Sequence, residues 1–182
     1  MTRLVYDIVM FSKVLSTSKS LWVMTFLFHL GLLLVVLGHV RTVTEIGFLW
    51  SWLNLDAQGI DRVSFSLGIT AGGLILAGAI LLLYRRLTPM MRILSIFQDY
   101  FVLGTLLAII LCGFAMRLWM SVHVGEIQHY ARGVLTFRPA VEIQNVLFFW
   151  HFFLAEVLIM YLPFSKLIHV VSKPVAESWT MR

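Results

Sequence analysis

The sequence predicts an all-α integral membrane protein: a four-transmembrane-helix bundle preceded by an N-terminal amphipathic segment. Two observations carry that expectation. Of 182 residues, 60% are hydrophobic and 13% are charged, against about 45–50% and about 25% in a soluble domain. The apolar residues also gather into four stretches, each long enough to cross a hydrocarbon core of about 30 Å.

Residues 1–20 stand apart. Arg3, Asp7, Lys13 and Lys19 interrupt them, so they lack the apolar run of a cleavable signal peptide and none is expected. Leu4, Val5, Ile8, Phe11 and Leu15 fall near one helical face, which predicts an interfacial helix. The spans follow over 21–40, 65–84, 100–119 and 146–171. Residues 21–175 form the four-helix domain and 176–182 a tail. The loops at 41–64 and 120–145 are long for connectors and hold Trp50, Trp52 and Tyr130, with Trp119 just before the second. They suit the headgroup region or a cap over a site.

The cations set the orientation. Arg3, Lys13, Lys19, Arg85, Arg86, Arg92, Lys166, Lys173 and Arg182 fall on one side, and Arg41, Arg62, Arg117, Arg132 and Arg138 on the other. The richer side is expected to be cytoplasmic, with both termini there. A net charge of +5 is explained by this bias, so no nucleic-acid partner is called for. The chain has one cysteine, Cys112. One thiol holds neither an iron–sulfur cluster nor a disulfide.

The histidines carry the chemistry. There are six, and His29, His39, His151 and His169 lie in or at the ends of spans. Ionisable groups there are costly and point to function. His29 and His39 are about 15 Å apart along the first helix. His151 and His169 are eighteen residues apart, about five turns, so they share a face. The first and fourth of four spans run antiparallel. His29 then lies level with His169, and His39 with His151. Each pair is able to clamp a flat macrocycle through imidazole nitrogens, the spacing mismatch being absorbed by tilt or by a bend at Pro163. Zinc needs its ligands to converge at about 2 Å, and histidines 15 Å apart on one helix cannot do that. Two sites with two histidines each suit haem, and both axial positions filled favour electron transfer over substrate binding at iron. Gly38, beside His39, is read equally as helix packing or as room for a porphyrin; Gly68, Gly72, Gly73 and Gly78 are read as packing. Glu156, five residues after His151, is expected at a haem edge, in a proton relay or in a structural hydrogen bond.

Three stretches then carry a resemblance. Phe28-His29-Leu30-Gly31 through Gly38-His39, Leu81-Leu82-Leu83-Tyr84-Arg85-Arg86-Leu87 with Arg92 and Asp99, and Leu162-Pro163-Phe164-Ser165-Lys166-Leu167-Ile168-His169 resemble the respiratory nitrate reductase gamma subunit family. These are di-haem cytochromes b, a group that also includes cytochrome b subunits of heterodisulfide reductase and of sulfite-reduction complexes. The resemblance covers about residues 18–175. It implies a quinol-oxidising or quinone-reducing subunit of the cytoplasmic (inner) membrane that is not a complete enzyme alone. It implies two haems b, ligated by His39 with His151 (outer) and His29 with His169 (inner). Menaquinone or another quinone is the substrate. A cytoplasmic-side iron–sulfur subunit and a catalytic reductase subunit are the partners. The family has a further helix before the histidine pair, where this chain has residues 1–20. It also has a quinone-site lysine, where this chain reads Gly59-Ile60-Asp61-Arg62. Arg62, Asp61 and Gly38 are therefore the quinone candidates, and Arg41 and Arg117 the candidates for haem propionates. His123 and His129 are read as loop surface residues. The rival readings are a structural membrane anchor with little or no redox role, against which the four-histidine pattern speaks, and a small transporter, which calls for broken repeats.

Overall fold

A computed structural model of the chain describes residues 10–119, 124–138 and 143–165. Among them there are helices and no strands. Four helices are long and apolar enough to cross a membrane: Lys19–Val43, Ala57–Leu87, Phe97–Trp119 and Val146–Phe164, the first to fourth spans.

The first span starts where Ser18 accepts from the Leu21 amide and satisfies an exposed helix-end donor. The second is 31 residues long and starts eight residues before the expected point. Gly59-Ile60-Asp61-Arg62, read as loop from its polarity, is helical. Asp56 caps it by accepting from the Gly59 amide at 2.8 Å, and the added turns carry their polar residues beyond the apolar stretch. The third and fourth spans start close to expectation, and Asn145 caps the fourth through the Leu147 and Phe148 amides.

The first span packs mainly on the second, and the fourth on the third, with the second and third in contact. The first pair is held by backbone approach. A Cβ on Gly31 would stand 2.3 Å from the Ile75 nitrogen, and one on Gly78 would stand 2.5 Å from the Phe28 nitrogen. Small residues permit this approach, and without an aqueous hydrophobic effect it is what binds membrane helices. Gly72 takes Phe114 and Gly68 takes Arg117, while nothing lies within 4 Å of a Cβ on Gly73. The core is Ile75, Ala79, Leu103 and Ile110.

Between the second and third spans, the short helix Pro89–Leu94 leads into a buried ion pair, Arg86 to Asp99 at 3.0 Å. Asp99 also accepts from the Ile96 amide, and Tyr100 donates to the Arg86 carbonyl.

The N-terminal segment departs from one continuous helix. Its described part is the short helix Ser12–Thr17, preceded by Phe11 in the left-handed region (φ 49°) and ended by extended Ser18. Trp22 Nε1 donates to the Met10 carbonyl and folds the segment back on the span. Leu4, Val5 and Ile8 lie outside the described residues, as does the tail 176–182.

The fourth span also breaks. Its regular α-helix ends at Tyr161, Leu162–Phe164 form a 3₁₀ turn around Pro163, and Ser165 is extended. The five-turn relation between His151 and His169 therefore does not follow from one unbroken helix. Proline removes an amide donor and clashes with the preceding turn, so the bend expected there is a full interruption.

Candidate functional site

The fold brings His39 and His151 together with their rings parallel. Their ring centroids are 6.1 Å apart and the planes differ by 5°. His39 is in the penultimate turn of the first span, and its Nδ1 donates to the Val35 carbonyl at 2.7 Å. His151 is in the second turn of the fourth, and its Nδ1 donates across to the Ile109 carbonyl of the third span at 2.9 Å. In a neutral imidazole, a proton on Nδ1 leaves the lone pair on Nε2. Both rings are thus held in the tautomer that ligates a metal through Nε2, and backbone carbonyls fix their orientation.

Gly113 makes this position accessible to His151: a Cβ there would meet the ring Cε1 at 3.2 Å. Neither Gly113 nor the Ile109 carbonyl was singled out from sequence. The signal present was a lone glycine four residues after Ile109 in an apolar run. Gly38, next to His39, is exposed, and among the described residues nothing lies within 4 Å of where a Cβ would stand, so packing among those residues does not account for it.

Two arginines meet at one end of this pair. Arg41 Nη1 donates to the Ser64 hydroxyl, and Arg117 Nη2 to the Ser64 carbonyl. Arg41 also reaches Glu45 at 3.1 Å and Asp61 at 3.5 Å, and lies over the Trp50 ring. Arg117 lies over Phe65. Arg62 is exposed.

A helix at Val124–Leu135 caps this end. Gln128 donates to the Arg41 carbonyl at 2.7 Å and to Glu45 at 2.8 Å, and Arg132 donates to the Val43 carbonyl. Tyr130 meets Phe148 and Phe152 of the fourth span edge-on. The long loops are thus a cap built on the bundle, and Trp50 serves it by donating to Glu45 at 2.6 Å. Partial burial by itself would raise the Glu45 pKa. The hydrogen bonds from Gln128 and Trp50 and the charge of Arg41 outweigh it and hold the carboxyl below its usual range. His129 is exposed on the cap helix.

His29 donates from Nδ1 to the Thr25 carbonyl at 2.8 Å, the same backbone arrangement as His39. The Phe11 ring lies 4.8 Å from its ring, centre to centre. His169 and His123 lie outside the described residues, so the pairing of His29 with His169 is not placed. Among the described residues no cluster of three or more metal-ligating side chains occurs. Glu156 is exposed on the fourth span, and no described residue hydrogen-bonds or ion-pairs with it; it faces away from the histidine pair.

Comparison with known proteins fits this architecture. The chain is 33% identical over 162 residues to an Hdr-like menaquinol oxidoreductase cytochrome b-like subunit of Archaeoglobus fulgidus, covering 84% of this chain and 48% of that protein. The corresponding protein of Archaeoglobus profundus is 31% identical over 160 residues, covering 84% and 47%. The nitrate reductase gamma chain of Bacillus subtilis is 28% identical over 172 residues, covering 90% and 77%. The chain thus spans about half the length of the two archaeal relatives. The profile of the nitrate reductase gamma subunit family matches residues 4–180, and the chain belongs to that family.

Proposed function

We propose that this chain is the membrane cytochrome b subunit of a respiratory complex, carrying electrons between the membrane quinone pool and a cytoplasmic-side iron–sulfur partner through two bis-histidine haems b. The observation that carries the reading is the His39–His151 pair. Two imidazoles sharing one metal from opposite sides, with bonds of about 2 Å and about 1 Å from nitrogen to ring centre, would have their centroids about 6 Å apart. The separation is 6.1 Å, with both Nδ1 atoms committed elsewhere. The residues present therefore fit an iron porphyrin at that position. His29 with His169 is the proposed second couple.

A haem held this way supplies a one-electron carrier with no open coordination position. The chain's own residues do the rest. The Val35 and Ile109 carbonyls would hold the two rings in their orientation. Arg41 and Arg117, anchored on Ser64, offer positive charge to propionates. Asp61 and Arg62 are the groups proposed to hydrogen-bond a quinol headgroup, with the Asp61 carboxylate taking a proton, a role their exposure at the start of the second span supports. Gly38 leaves room beside His39. The names of the relatives, menaquinol oxidoreductase and nitrate reductase, support a quinone substrate and a separate catalytic reductase subunit.

We further propose that the His39 end faces outwards and both termini face the cytoplasm, in the cytoplasmic (inner) membrane. The purified chain should show a reduced b-type absorption spectrum and two haems per polypeptide. Preparations that fold, span the membrane and lack Soret absorbance would reject the reading.

A further inference from the structure

Glu156 stands ten residues after Val146 and eight before Phe164, at the middle of the fourth span. It lies five residues from His151 and five from Tyr161, which touch the third span at Ile109 and Phe101. Five residues is about 140° of helix rotation in either direction, so Glu156 points to the far side. Phe149, Phe153 and Met160 share that face with it, all exposed. Their spacing, i, i+4, i+7 and i+11 with Glu156 third, is that of a helix-packing seam with one polar position.

A carboxyl at this depth is costly against lipid and calls for a donor beside it. The chain does not supply one among its described residues: Lys19, Arg41, Arg62, Arg85, Arg86 and Arg117 all lie in the terminal two turns of their spans. A second copy related by a two-fold axis would set Glu156 against Glu156, which adds like charge. We propose that this face is the docking site for a transmembrane helix of a different polypeptide, one that presents a cation or a side-chain amide level with Glu156. The inference rests on the chain being a subunit of a membrane complex and is independent of its haems.

The test places the photo-crosslinker p-benzoylphenylalanine at Phe153 or Met160 of the full complex in native membranes, with Glu156 intact. The expected adduct is with a membrane segment of another subunit that carries Lys, Arg, His, Asn or Gln within about one turn of the crosslink. Glu156→Leu should lower the adduct yield about tenfold, and Glu156→Gln should retain most of it. Adducts to a second copy alone, adducts to lipid alone, or an unchanged yield in Glu156→Leu would each overturn the proposal. If Glu156→Leu fails to fold, the wild-type adduct still decides. Haem content of the same samples reports the function proposed above separately: loss of haem with the adduct retained counts against that function and not against this interface.

Discussion

His151 crosses from its own helix to the third span and donates from Nδ1 to the Ile109 carbonyl, 2.9 Å away. Two helices therefore set the direction of one ring, and Gly113 clears the path. His151→Ala and His39→Ala should each remove one haem, so haem measured as the pyridine complex should fall by about half per chain. Gly113→Leu should lower haem content while leaving both histidines present. Unchanged haem in all three would break the assignment.

Backbone contact between the first two spans makes a second expectation. Gly31→Ala and Gly78→Ala each add a methyl where a Cβ would stand under 3 Å from backbone. Each should cost about 1–3 kcal/mol and lower the melting temperature in detergent. Gly73→Ala, with nothing within 4 Å, is the matched control and should be tolerated.

Asp99 is the buried partner of Arg86, with a side-chain exposure of 5% against 33% for the arginine. Asp99→Ala should cost about 3 kcal/mol, because it leaves a half-buried guanidinium without its counter-charge and frees the Ile96 amide. Arg86→Ala with Asp99→Leu should recover part of that loss, read as melting temperature.

The cap should loosen in acid. The folded Glu45 pKa lies below its ordinary value. Its stabilising contribution is therefore fully present above the ordinary value and is lost as pH falls through the lowered, folded one. Trp50, which donates to Glu45, reports the change: its emission should shift on acidification in the wild type and much less in Glu45→Gln.

Removing a cation beside an iron porphyrin disfavours the reduced, more negative form. Arg41→Ala and Arg117→Ala should therefore each lower the midpoint potential of the haem proposed at His39 and His151, by tens of millivolts in a redox titration. A potential that does not move would separate the arginine pair from the haem.

Much of this was legible from spacing. Four apolar stretches fixed the spans, and antiparallel first and fourth helices put His39 level with His151. What periodicity does not encode is contact between helices that are distant in sequence. Gly113 reads like any small residue until the His151 ring lies against it. The Gln128–Glu45 bond joins residues 83 apart, and polarity alone made the start of the second span look like loop. The break after Tyr161 was half visible: Pro163 announced a bend, but whether a proline bends or ends a helix depends on the turn that forms around it.

The two glycine contacts weld the first and second spans into one stiff hairpin, while the third and fourth make another through His151. The imidazoles of His39 and His151 sit on opposite sides of the seam between these halves. Anything they grip together is a clasp across that seam, added to the core the second and third spans already share. Loss of the group proposed to bind there should therefore loosen the His39 end first.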